Sequence, residues 1–138
     1  LQFLASPWSP PSFMKDNNSL TGGGRLLPSY KKLWAIYLTK FVHNYQNQGI
    51  PISYMTIQNE PNAKQIWESC LYSAQEEADF LKNYLFPSFK EKNLNTKFLI
   101  WDHNKDNLLE RCTETLVKHQ ALNYTSGIAF HRYTGRSF

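Results

Sequence analysis

Two kinds of apolar run alternate along this chain, and that alternation limits its fold more than any other feature of the sequence. Short β-prone runs occupy residues 1–5, 53–57, 97–101 and 128–130. Longer amphipathic runs lie between them. Over residues 30–48, Leu33, Trp34, Tyr37, Leu38, Phe41, Val42 and Tyr45 recur at the three-and-four spacing of one helix face, and Gly49 follows where a left-handed cap ends a helix. A second helix is predicted to open at Ser73, with Glu76 three residues on to form a reciprocal capping box. Its stripe is Phe80, Leu81, Tyr84 and Leu85, and Pro87 is expected to end or bend it. A third is predicted over residues 106–120 with Leu109, Cys112 and Leu116 on one face. Parallel strands need long connections, which helices supply with right-handed crossovers. The chain is therefore an α/β protein with a parallel sheet, either an open doubly wound sheet or part of a (β/α)8 TIM barrel.

The residues just after each predicted strand decide between the two. The first strand runs into Ser6-Pro7-Trp8 and the second into Asn59-Glu60-Pro61. The third runs into Asp102-His103-Asn104 and the fourth into His131-Arg132-Tyr133. Four successive strands with polar or aromatic groups at their carboxyl ends describe one shared face, the catalytic face of a β/α barrel. A nucleotide-binding sheet would show a Gly-rich turn after a strand. The one glycine cluster, Gly22 to Gly24, lies in the loop spanning residues 6–29, outside any strand-turn-helix context.

Glu60 is the candidate proton-transfer group. Beside Trp8, Trp101 or Tyr133 in a partly dry cleft its charged form is disfavoured, which suits general-acid work. Asn59 can donate and accept, and so grip a sugar hydroxyl, although an Asn-Glu-Pro triplet can also simply cap the next segment. Asp102 reads as a second carboxylate, a ligand for a substrate hydroxyl or an N-cap. His131 reads as a ligand for substrate or a metal, or as a hydrogen-bonded structural residue, and Trp8 as a stacking platform or an aromatic staple under its loop. No carboxylate-histidine spacing supports a metal site, and no pattern calls for a cofactor. Neither a Gly-x-Ser-x-Gly elbow nor a Cys-His signature is present, which disfavours acyl transfer.

The net charge of +4 is scattered and forms no phosphate-tracking stripe, so nucleic acid is not an expected partner. No apolar stretch reaches the roughly 20 residues of a membrane span. Cys70 and Cys112 have no metal-ligand spacing and read as unpaired buried thiols. Two Asn-x-Ser/Thr triplets carry no weight at this content of Asn, Ser and Thr. Leu1 begins within an apolar segment, and residues 134–138 hold nothing like a closing helix, so residues 1–138 read as a partial catalytic barrel domain cut from a longer polypeptide. The compartment is not written in these residues.

Several stretches together resemble glycoside hydrolase family 30, the family of lysosomal glucosylceramidase and related bacterial enzymes. They are residues 4–15 (Leu-Ala-Ser-Pro-Trp-Ser-Pro-Pro-Ser-Phe-Met-Lys), 56–61 (Thr-Ile-Gln-Asn-Glu-Pro), 66–70 (Ile-Trp-Glu-Ser-Cys), 101–104 (Trp-Asp-His-Asn) and 128–133 (Ile-Ala-Phe-His-Arg-Tyr). The resemblance runs almost end to end in the family's order. It implies a (β/α)8 barrel with an appended β-sandwich, of which this chain covers about the third to sixth strands. It implies that Glu60 is the general acid/base of a retaining β-glycosidase acting on a carbohydrate or glycolipid, with Asn59, Trp8, Asp102, His131 and Tyr133 around the sugar. The nucleophile, about 5 to 5.5 Å from the acid/base in such enzymes, is expected on the seventh strand, beyond Phe138. Arg132 departs from the aromatic residue usual after this histidine. An endo-acting β-1,6-glucanase or xylanase of the same family, or a catalytically dead carbohydrate-binding homologue, are the alternative readings.

Overall fold

A computed structural model describes residues 1–134, so the reading of residues 135–138 as lacking a closing helix lies outside the described residues. Four strands, β1 (Phe3–Ala5), β2 (Ile52–Thr56), β3 (Lys97–Asn104) and β4 (Gly127–His131), form one parallel sheet in the order β1-β2-β3-β4. Sequential order with every neighbour parallel is the connectivity of a barrel wall, and helices pack against β2 and β3 on one face.

The helix α1 (Lys31–Asn47) ends as expected, with Gly49 at φ +78°. Its buried side is Trp34, Ala35, Leu38, Thr39 and Val42. Leu33, Tyr37 and Tyr45 of the predicted stripe are exposed instead. α2 (Ala74–Phe80) carries the predicted capping box: Ser73 Oγ accepts the Glu76 N–H, and Glu76 Oε2 accepts the Ser73 N–H.

Pro87 does not end this helix. A wide π-type turn over Leu81–Leu85 leads into α3 (Phe86–Glu91), where Pro87 sits in the first turn. There its missing N–H breaks no bond that the helix needs. A second wide turn, Glu114–Lys118, extends α4 (Leu108–Thr113). On α4 the predicted face is rotated: Leu109 is exposed, whereas Arg111, Cys112 and Thr115 are buried. Arg111 is drawn inward by Glu77, a charge contact that an apolar pattern does not register.

β3 departs most from expectation, running three residues past Trp101 to Asn104. Its register against β4 shifts between Trp101 and His103, where Trp101 has φ +77° and Asp102 φ +48°. Phe98 packs on Phe86 and Phe89 at the helix face. Strict alternation from there would turn Trp101 inward and Asp102 outward. The bulge exchanges them. Trp101 stacks under the Arg111 guanidinium of α4, and Asp102 enters the interior to meet Ser6, Thr56 and His131.

Both cysteines are free and buried. Burial pushes the Cys70 thiol up to about 12 and the Cys112 thiol up to about 11. Among the described residues no helix is long and apolar enough to cross a membrane.

Candidate active site

The carboxyl ends of the four strands place one residue each on a common row: Ser6 after β1, Thr56 at the end of β2, Asp102 in the β3 bulge and His131 closing β4. Asp102 is the hub. Its Oδ2 accepts from Ser6 Oγ at 2.5 Å and from Thr56 Oγ1 at 2.8 Å, and its Oδ1 lies 3.0 Å from His131 Nε2. The carboxylate is therefore a buried acceptor of three bonds and caps no helix, although the N-cap reading fitted the sequence.

His131 joins this hub to Glu60, whose Oε1 lies 3.2 Å from His131 Nδ1. A neutral imidazole has one N–H and can donate to only one of these carboxylates; the imidazolium donates to both. Glu60 Oε2 accepts from Gln65 Nε2 at 3.0 Å. The Glu60 backbone is held at φ +47°, with its N–H donating to the Asp102 carbonyl at 2.9 Å and its carbonyl accepting the Ala63 N–H at 2.9 Å. Glu60, Trp101 and Asp102 thus all occupy the left-handed region without being glycine. Each such residue costs of order 1–3 kcal/mol and persists only where its surroundings fix it, which is typical of sites that must aim a group.

Above this floor opens a cleft of about 430 Å³, lined by Trp8, Asn59, Glu60, Gln65, Trp67, Asn104, His131 and Tyr133. Trp8, between Ser6-Pro7 and Ser9-Pro10, is 48% exposed and forms part of the wall, as a platform would and a staple would not. Its carbonyl is anchored by Gln58 Nε2 at 2.7 Å, and Asn59 is set beside it by donating its N–H to the Pro7 carbonyl at 2.9 Å. Tyr133 stands edge-on to His131 with centroids 5.6 Å apart.

Five of the six residues singled out from the sequence therefore share the cleft. Asp102 lies below it, behind His131. Trp101, expected as a neighbour of Glu60, is buried on the helix side of the sheet, its indole N–H donating to the Asn104 carbonyl.

Three further lining residues are not among the six singled out from the sequence: Gln65, Trp67 and Asn104, of which the last closes a predicted polar strand end. The first two belong to the loop after β2, which barrel topology already assigns to the catalytic face. That loop is tied to the preceding β1 loop by bonds from the Gly22 N–H to the Gln65 carbonyl and from Lys15 Nζ to the Ser69 carbonyl. Lys15 is buried there, which lowers its pKa from the ordinary lysine value. Asn104 enters the cleft because β3 outruns its predicted end. Its buried Oδ1 has no hydrogen-bond partner among the described residues. Its neighbour His103 is not in the cleft lining and stacks on the Trp101 ring with centroids 4.9 Å apart. Burial lowers its pKa below the ordinary histidine value, against the pull of the Glu60 charge, and its Nδ1 accepts the Asn104 N–H.

Among the described residues no group of three or more His, Cys, Asp and Glu side chains has metal-binding geometry. What the arrangement offers is a carboxyl group at the floor of an aromatic-walled groove, a histidine between it and a second carboxylate, and amides along the rim.

The family model for the glycosyl hydrolase family 30 TIM-barrel domain matches residues 1–137. Putative glucosylceramidase 2 of Caenorhabditis elegans is 36% identical over 143 residues, covering 96% of this chain and 28% of that protein. The endo-1,6-beta-D-glucanase of Neurospora crassa is 34% identical over 137 residues, covering 96% of this chain and 28% of its own length. The crystal structure of SrfJ from Salmonella typhimurium superposes with a TM-score of 0.93 at 38% identity, over 97% of this chain and 30% of that one. This chain thus spans under a third of the length of these relatives.

Proposed function

The chain belongs to glycosyl hydrolase family 30, and from that premise we propose that it supplies the acid/base half of a retaining β-glycosidase, with Glu60 as the group that moves the proton. The observation that carries this reading is the setting of Glu60. Its carboxyl group sits on the cleft floor, 13% exposed, with each oxygen held by one named partner, Gln65 or His131. Such a group protonates a glycosidic oxygen as the bond breaks, then takes the proton from the water that releases the sugar.

The partner nucleophile is assigned to sequence beyond Phe138, so residues 1–138 alone are expected to be inactive. Asp102 does not fill that role: its oxygens are committed to Ser6, Thr56 and His131. Its role is to hold His131, and through His131 the outer oxygen of Glu60. Trp8, Trp67 and Tyr133 supply ring faces for a pyranose. Asn59 and Asn104, which line the cleft, supply hydroxyl contacts.

For the substrate, we infer a β-glucoside of the glucosylceramide type, supported by the likeness to the C. elegans protein. A β-1,6-glucan is the second reading, favoured by the Neurospora relative. Product analysis on glucosylceramide and on β-1,6-glucan separates the two, because an endo enzyme gives oligosaccharide ladders and the first reading gives glucose. The acid/base assignment is tested with Glu60→Gln in the full-length protein on aryl β-glucosides. A rate loss concentrated on poor leaving groups supports it; equal losses on good and poor leaving groups refute it.

A further inference from the structure

Behind the cleft lies a charged pair that the chemistry above does not use. Glu77 of α2 is completely buried, Arg111 of α4 is 6% exposed, and Arg111 Nη2 donates to Glu77 Oε2 at 3.1 Å. Burying two charges costs hydration that their attraction only partly restores, so stability alone does not account for the pair.

Its remaining bonds reach two of the four strand ends that build the site, those of β2 and β3. Glu77 Oε1 accepts the backbone N–H of Trp101 at 3.0 Å, at the residue where the bulge breaks the β3–β4 register. Arg111 Nη1 donates to Asn62 Oδ1 at 2.7 Å, two residues past Glu60. Arg111 Nη2 also donates to the Tyr72 carbonyl at 2.9 Å, and the Tyr72 N–H returns to the Pro61 carbonyl at 2.9 Å. Thr115 Oγ1 donates to Glu77 Oε2 at 3.2 Å, and the Arg111 guanidinium lies 5.4 Å from the Trp101 ring centre. Neither Glu77 nor Arg111 lines the cleft.

We propose that the Glu77–Arg111 pair is the positioning device for Glu60 and Asp102, an inference that rests on the acid/base reading of Glu60 and extends it to two residues remote from the sugar. Glu77 holds the bulge that aims the Asp102 carboxylate at His131 and the Asp102 carbonyl at the Glu60 N–H. Arg111 holds the turn that starts at Glu60, through Asn62 and through Tyr72 and Pro61. Without the pair, the three left-handed residues are free to relax, and a shift of about 1 Å in a catalytic group costs on the order of 100-fold in rate.

Glu77→Gln alone strands the Arg111 charge in the core and keeps an acceptor for the Trp101 N–H, so the test uses the paired variant Glu77→Leu/Arg111→Met, which removes both charges and that acceptor at similar volume. In the full-length protein it is expected to keep a cooperative thermal transition and a KM near wild type. Its kcat on a poor-leaving-group aryl glucoside falls about 30-fold or more, and more than on a good one. The imidazole ¹⁵N signals of His131, which report both carboxylate contacts, are expected to move. Unmoved His131 signals overturn the inference. So does an unchanged leaving-group ratio in a protein whose Glu60→Gln variant shows the acid pattern. If Glu60→Gln slows both substrates equally, the acid/base reading falls and the His131 signals alone decide the positioning. Thr115→Val, which removes one donor to Glu77 without unbalancing charge, guards against loss of fold in the paired variant. It is expected to lower the poor-leaving-group rate about two- to tenfold and to move the same signals; no change in either overturns the inference.

Discussion

Replacing Asp102 with Asn is expected to preserve the fold while lowering kcat/KM about 10- to 150-fold, and the two halves of that expectation come from different contacts. Asp102 sits at φ +48°, where Asn is one of the few residues at ease. The Asn carbonyl oxygen can keep accepting from Ser6 Oγ and Thr56 Oγ1, so the buried hydroxyls remain satisfied. Its NH2 group then faces His131 Nε2, which can there only accept, so the arrangement in which both ring nitrogens donate to carboxylates is lost. What is lost is one hydrogen bond to an ionised acceptor, about 1.5–3 kcal/mol. At 1.4 kcal/mol per decade that is about 10- to 150-fold.

Asp102→Ala removes the acceptor altogether. Thr56 Oγ1 can still turn to Ser6 Oγ at 3.1 Å, leaving one hydroxyl short of an acceptor at about 1–3 kcal/mol. Alanine in the left-handed region adds about 1–2 kcal/mol. The Ala variant should therefore be about 2–5 kcal/mol less stable than the Asn variant. Denaturant midpoints and initial rates on an aryl β-glucoside measure both effects. An Asn variant with wild-type kinetics, or an Ala variant as stable as the Asn variant, refutes this account of the hub.

Three other outcomes are expected. The unfolded His103 imidazole takes its proton near pH 6.5, whereas the folded one, depressed by burial, takes it at lower pH. The unfolded chain therefore binds more protons in that window, stability falls on acidification below about pH 6.5, and His103→Gln should flatten the loss in denaturation curves taken across it. Cys70 and Cys112, raised to about 12 and about 11, should resist iodoacetamide at pH 8 until denaturant is added, whereas labelling of the native protein would contradict their burial. Their linked stability is present below the ordinary thiol pKa of 9.0 and is lost as pH rises through 11 to 12. Residues 1–138 expressed alone present β1 and β4 as open edges with Leu4, Ile128 and Phe130 exposed, so they should bind a hydrophobic dye, melt without a sharp transition and leave aryl glucosides intact.

The strand-helix alternation is legible in the sequence because helix and strand periods differ, and the Ser73–Glu76 box because its two side chains satisfy each other locally. The shared face is legible for the same kind of reason: Trp8, Asn59, Glu60, His131 and Tyr133 each follow a strand whose end the pattern marks. The exchange of Trp101 and Asp102 is not, since it depends on a bulge with no glycine to announce it and on a buried carboxylate, Glu77, from a distant helix. The same contact hides the burial of Arg111, because an apolar count treats an arginine as surface. Pro87 misleads because the wide turn that accommodates it is a backbone adjustment with no residue signature. Gln65 and Trp67 reach the cleft through loop geometry, which periodicity does not describe, and Asn104 through the extension of β3 past its predicted end.

The role of Glu60 is tested most directly by Glu60→Ala in the full-length protein with sodium azide. A glycosyl-enzyme intermediate formed from a good leaving group needs a general base to activate water, but azide attacks without one. If Glu60 is the acid/base, azide should restore turnover and the product should be the β-glycosyl azide. No rescue, or an α-glycosyl azide from direct displacement at an enzyme lacking its nucleophile, would contradict the assignment.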